Sequence, residues 1–102
     1  MFDLNKLQDM IKNATQIQEK MSQELASKVV EASAGAGMVK ISMNGQFEAT
    51  KVYLEPSLVA MNDLNFMQDL IQAAMNDATK QVKRLMADQA RSLGSQFNLP
   101  TQ

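Results

Sequence analysis

The chain has 102 residues, which is enough for one domain and too few for two. Apolar residues make up 45% and charged residues 21%, a balance that is typical of a globular protein and argues against disorder. There is no cysteine and no histidine, so a disulfide framework is excluded and the commonest metal ligand and general base are missing. We therefore expect a binding protein rather than an enzyme, with no metal site and no cofactor.

Hydropathy and charge narrow the class of partner. No run of about 18 apolar residues is present and the N-terminus lacks a signal-peptide pattern, so we expect a cytoplasmic protein with no membrane partner. The formal net charge of -1 gives no overall attraction to nucleic acid. Any binding of a polyanion must come from a local patch.

Apolar residues at spacings of three and four predict an amphipathic first helix, with a seam like that of a coiled coil. The seam consists of Leu4, Leu7, Ile11, Ala14, Met21 and Leu25. Gln18 occupies one seam position, where it either fixes the register of a helix pair or simply sits at the edge. Lys12 and Lys20 project from roughly the opposite side.

Alternating apolar residues after Lys28 predict a three-stranded antiparallel meander. Asn44-Gly45 is a strong signal for a two-residue hairpin loop, because a type I′ turn needs positive φ at both central residues. Such a loop places Val52 and Leu54 on the same core face as the preceding strand. That strand contributes Val39, Ile41 and Met43 to the core, and the other, semi-polar face carries Lys40, Ser42, Phe47, Lys51 and Tyr53.

The segment Glu55-Pro56-Ser57 ends the third strand, and a turn or short helical piece is expected before Asn62 and Asp63, the candidate N-caps of a second long helix. Gly94 is the predicted stop of that helix. We expect one domain over residues 1–94 and a short, loosely ordered tail over 95–102, in which Phe97 either docks or stays loose. The fold class is α+β: long helix, meander, long helix. Because three strands cannot cover two such helices, a second copy of the chain is expected to supply the missing surface.

The sequence contains no set of groups typical of a catalytic or small-molecule site. Ala34-Gly-Ala-Gly37 lacks the Gly-Lys-Ser/Thr ending of a phosphate loop and is interpreted as a strand connection. The marked charge asymmetry is late in the chain, where Asp88 is the one acid among Lys80, Lys83, Arg84 and Arg91. These four residues form either a solvated face near a helix C-terminus or a set of phosphate contacts.

Several segments stand in a characteristic order along the chain. They are Gln16-Ile-Gln-Glu-Lys-Met21, Ala34-Gly-Ala-Gly-Met-Val-Lys-Ile41, Met43-Asn-Gly45, Val52-Tyr-Leu-Glu-Pro-Ser-Leu58 and Asp69-Leu-Ile-Gln-Ala-Ala-Met-Asn-Asp-Ala78. In these segments the sequence resembles the YbaB/EbfC family of bacterial nucleoid-associated proteins, over roughly Leu4 to Leu93. The resemblance implies a homodimer whose sheets come together and whose helices project like tweezer arms.

The resemblance also implies binding of double-stranded DNA with little sequence stringency, and a role in nucleoid organisation or gene regulation. The basic residues that match the projecting helices are Lys12, Lys20, Lys80, Lys83, Arg84 and Arg91. We predict that they contact DNA mainly through phosphates. The short tail after Ser95 and the slightly acidic net charge depart from the family pattern.

An alternative function remains open from the sequence. Two long helices flanking hairpins are also similar to prefoldin subunits, which implies a chaperone-like or scaffold protein that binds polypeptide with projecting helices. A chaperone should expose apolar helix tips, whereas a DNA-binding protein should expose basic faces and respond to salt.

Overall fold

The structure, a computed structural model, describes residues 3–96 and confirms the α+β order of helix, meander and helix. The elements are α1 (Leu4–Ser27), β1 (Val29–Ala34), β2 (Val39–Asn44), β3 (Ala49–Leu54), α2 (Pro56–Ala60) and α3 (Leu64–Gln96). The molecule measures 72 × 31 × 17 Å, because the two long helices extend well beyond the sheet.

The three strands form one antiparallel sheet in the order β1-β2-β3. Across the sheet, Ile41 pairs with Ala32 on one side and with Val52 on the other. The predicted core residues of β2 are all buried. Gly35 and Gly37 have φ of 66° and 90° in the tight connection between β1 and β2, which confirms that the glycine-rich segment is a strand connection.

One helix covers most of the inner face of this sheet. α3 packs on β1 and β2 and hardly touches β3. Its contact residues Ala74, Ala78 and Val82 are fully buried, and the two alanines let the helix approach the strands closely. The inner face of β3 therefore lies beyond the cover of α3.

The first helix projects from the body. Asp3 caps it, since the carboxylate accepts a hydrogen bond from the Asn5 amide at 3.0 Å, and none of the residues of α1 is buried. Only its C-terminal end is held, at the turn between β2 and β3. There the Gly45 amide donates to the Leu25 carbonyl at 2.8 Å, and the Gln46 side chain donates to the Ser22 carbonyl at 2.8 Å.

The turn differs from the predicted type I′ loop. The Phe47 amide donates to the Asn44 carbonyl at 3.1 Å, and Phe47 rather than Gly45 has positive φ, at 62°. The Asn44 side chain stabilises the wider turn by accepting from the amides of Gln46 and Glu48. A two-residue loop would pair Ile41 with Glu48 instead of Val52. The shift is an even number of residues, so the predicted face of β3 is correct although the register is wrong.

Phe47 consequently lies in the turn and not on the semi-polar face of the sheet. The need for glycine at position 45 has a different cause from the predicted one. A Cβ built there would stand 2.5 Å from the Leu25 carbonyl oxygen and 3.0 Å from the Leu25 Cβ. Gly45 is thus the point where α1 approaches the turn too closely for any side chain.

The ends of the later helices also refine the predictions. Asp63 caps α3 by accepting from the Phe66 amide at 3.1 Å, whereas Asn62 is a turn residue with φ of 55°. The predicted stop at Gly94 is wrong, because α3 continues to Gln96. One glycine inside a helix costs only about 1 kcal/mol relative to alanine, which a long helix tolerates. The remaining tail, including Phe97, lies outside the described residues.

We predict that Gly45→Ala destabilises the protein by about 1–3 kcal/mol, because the added methyl group forces α1 away from the turn. The melting temperature should fall by at least about 4 °C for a domain of this size. Gly45→Asn is the discriminating variant, since a type I′ turn would accept asparagine. If Gly45→Asn kept the wild-type melting temperature while Gly45→Ala lowered it, the close approach of Leu25 would not be the cause.

Candidate nucleic-acid interface

The residues Lys80, Lys83, Arg84 and Arg91, here called the basic stripe, lie along the solvent side of α3. All four are exposed, and Ala78 and Val82 on the opposite side of the helix are buried. A rotation of about 100° per residue places Lys80, Arg84 and Arg91 within one narrow sector and Lys83 beside it. The stripe extends about 17 Å along the helix axis, at 1.5 Å per residue.

Little negative charge balances the stripe. The one ion pair found among residues 3–96 joins Arg91 to Asp88 at 3.7 Å, between side chains that are 82% and 63% exposed. Such a pair contributes at most about 1 kcal/mol and is screened by salt. Asp77, one turn before the stripe, accepts a hydrogen bond from Gln81 at 3.0 Å. Within the described range, Lys80, Lys83 and Arg84 have no carboxylate within 4.0 Å.

The predicted lysines of the first helix stand on a separate arm. Lys12 and Lys20 are exposed, but Asp9 and Glu19 are interleaved with them, so α1 has no stripe of one sign. The structure does not bring the two sets together, because α1 contacts β2 and at most marginally α3. A hydrogen bond of 2.5 Å from Lys28 to Gln89 links the start of β1 to the last part of α3.

A further basic feature, which the sequence analysis did not assign to a function, lies on the outer face of the sheet. It is a shallow hollow of about 200 Å³, here called the outer hollow, lined by Glu31, Lys40, Ser42, Lys51 and Tyr53. The alternation of β2 and β3 placed four of these residues on one face. Glu31 joins them only through the pairing of β1 with β2, which a sequence pattern does not reveal.

Two other kinds of site were searched for in the described part of the chain. No group of three or more acidic, histidine or cysteine side chains is arranged to hold a metal ion between residues 3 and 96. In the same range, neither long helix has an apolar stretch that could span a bilayer.

Comparison with known proteins agrees with the resemblance. A family model described as the YbaB/EbfC DNA-binding family matches residues 3–97. A nucleoid-associated protein of Acidobacterium capsulatum is 37% identical over 100 residues, covering 93% of each chain. Another from Thermoanaerobacter pseudethanolicus is 37% identical over 102 residues, covering 97% of this chain and 89% of the relative.

The fold also has a solved counterpart. An uncharacterised protein from Helicobacter pylori superposes with a TM-score of 0.72 and covers 91% of this chain and 98% of its own, at 22% identity. This likeness concerns the fold, whereas the family model and the curated relatives match nearly the whole sequence. The chain belongs to the YbaB/EbfC DNA-binding family.

Proposed function

We propose that this protein binds double-stranded DNA as a homodimer, by contacts to phosphates and without catalysis. The observation that carries the proposal is the basic stripe, which presents four cationic side chains on the solvent side of a rigid helix. Family membership supplies the class of partner. The names of the relatives favour a place in the cytoplasm at the nucleoid, and a role in nucleoid organisation or gene regulation.

The stripe suits a sugar-phosphate backbone. Phosphates follow one another at about 3.4 Å along the axis of each DNA strand, so a stripe about 17 Å long can face several of them. Lys80, Lys83 and Arg84 have no carboxylate nearby to displace. Contacts of this kind position a protein without reading bases, which agrees with little sequence stringency. Lys12 and Lys20 on α1 are proposed to add contacts from the second arm.

A second copy of the chain fits the uncovered edge of the sheet. Ile41 in β2 is fully buried under α3, whereas its neighbour Val52 in β3 is 52% exposed. The segment that follows β3 adds the exposed apolar side chains of Val59, Met61 and Leu64. An edge strand with an apolar face is a template for pairing with another strand, and two equivalent β3 edges can pair about a two-fold axis.

The other edge of the sheet is partly satisfied within the chain. The Gln81 side chain of α3 donates to the Glu31 carbonyl of β1 at 3.2 Å. In the part of the chain that the structure describes, β3 receives no such side-chain bond from a helix. The difference favours β3 as the edge that joins the two copies.

The chaperone-like alternative is favoured by one observation. The apolar face of α1 is uncovered in the single chain, and Leu4 and Met10 are each 67% exposed. An exposed apolar helix can bind polypeptide as well as a second copy of the chain. Net charge does not separate the two functions, so a direct binding comparison is needed.

We predict that the Lys80→Ala, Arg84→Ala double variant binds duplex DNA more weakly and with a smaller salt slope than wild type. Each lost phosphate contact lowers the slope of log affinity against log salt by about 0.9. Fluorescence anisotropy with unrelated duplexes at several salt concentrations measures both quantities, and the loss should be similar for every sequence.

Lys6→Ala serves as the control for this experiment, because Lys6 is exposed on α1 and belongs to neither predicted set. It should change affinity less than either single stripe variant. Equal affinities of wild type and double variant would reduce the stripe to a solvated face. If wild type bound unfolded polypeptide and no duplex at low salt, the chaperone-like alternative would replace the DNA-binding function.

The proposed dimer predicts a light-scattering mass of twice one chain at micromolar concentration. Val52→Glu should shift this mass towards one chain, because a charge at the joined edge would have to be buried without a partner. Val29→Glu is a matched control, since Val29 is 56% exposed on the opposite edge strand. A wild-type mass of one chain, or dissociation by Val29→Glu alone, would contradict the β3 interface.

A further inference from the structure

The outer hollow lies on the face of the sheet opposite α3. Tyr53 stands opposite Lys40 across the β2–β3 pair, and Lys51 stands opposite Ser42. Glu31 borders Ser42 from the other side, in β1. The hollow is therefore built from all three strands, so its side chains are held by a rigid sheet rather than by a loop.

Most of the groups that line the outer hollow are hydrogen-bond donors suited to an anion. Lys40 and Lys51 supply two ammonium groups, and Ser42 and Tyr53 supply two hydroxyl groups. Neither ammonium has a carboxylate within 4.0 Å among residues 3–96. The Lys40 ammonium lies 5.8 Å from the centre of the Tyr53 ring, and this cation–π contact holds it over the hollow. A phosphate oxygen can accept from both kinds of donor without first breaking an ion pair.

We propose that the outer hollow is a second phosphate-binding site for duplex DNA, separate from the helices. The proposal rests on the proposed DNA-binding function and extends it to the sheet. Charge complementarity favours a phosphate diester, because two ammonium groups outweigh the single carboxylate of Glu31. Glu31 opposes binding at this site and limits its affinity.

The proposed dimer leaves the outer hollow accessible and brings two copies of it together. Antiparallel pairing of two β3 edges about a two-fold axis keeps the same faces of both sheets on the same side. Lys51 and Tyr53 belong to β3 itself, so the two hollows flank the axis. The centre of the dimer thus presents four lysines on one surface, between the parts of the molecule that carry the helices.

Lysine footprinting on the wild-type protein tests the site directly. Acetylation by an amine-reactive reagent, followed by mass spectrometry, is compared with and without a mixed-sequence duplex at low salt. We expect DNA to protect Lys40 and Lys51 together with Lys80 and Lys83, and to leave Lys6 reactive. Protection of the stripe without protection of Lys40 and Lys51 would overturn the outer hollow while leaving the proposed function intact. Low reactivity of both lysines before DNA is added would also overturn it, because protein would already cover the face.

Three variants give an independent measurement with opposite expected signs. Lys40→Gln and Lys51→Gln should each lower the salt slope by about 0.9 per lost contact, which corresponds to about eightfold weaker binding at 0.1 M salt. Glu31→Gln should strengthen binding, and Lys6→Gln is the control. All are exposed positions, and unchanged melting temperatures would show that the fold is kept. Unchanged affinity in all three variants would overturn the site, whereas absence of duplex binding by wild type at low salt would overturn the proposed function with it.

Discussion

Three strands of six residues each face two helices of 24 and 33 residues, and this mismatch in length governs the rest of the structure. α3 extends about 50 Å, whereas a six-residue strand spans about 20 Å. The sheet can therefore bury one stretch of one helix. The middle of α3 takes that place with Ala74, Ala78 and Val82. The rest of α3 and nearly all of α1 are left to present their side chains to a partner.

A single point of attachment gives the first helix its direction. The Leu25 carbonyl accepts from the Gly45 amide, and the Gln46 side chain reaches back to Ser22 one turn earlier. These bonds join the end of α1 to the turn at which β2 becomes β3. Since a long lever pivots on this contact, a displacement of a few tenths of an ångström at Gly45 becomes a much larger displacement at Leu4. The packing at one glycine thus connects local backbone geometry to the position of the lysines on α1.

The sequence predicted the features that depend on periodicity and missed those that depend on contacts between distant segments. Alternation identified Val39, Ile41 and Met43 as core, and helical spacing placed the basic stripe opposite the buried face of α3. The loop at Asn44-Gly45 was predicted wrongly, because Asn44 stabilises a wider turn and Gly45 serves the docking of Leu25. The outer hollow was incomplete for the same reason, since Glu31 reaches it only through the register of β1.

The slightly acidic chain is compatible with DNA binding because its charges are separated in space. The acids of α1 are interleaved with its lysines, whereas the stripe on α3 has only Asp88 within it and the outer hollow only Glu31. At physiological ionic strength the screening length is about 8 Å, so a phosphate at the stripe is influenced mainly by charges within that distance. The net charge of the whole chain then matters less than the local balance at each surface. A few phosphate contacts per copy are individually weak, and joining two copies at β3 lets both sets act on the same duplex at a high effective concentration. Dimerisation and DNA affinity are therefore expected to be coupled through geometry alone, without a change in any single contact.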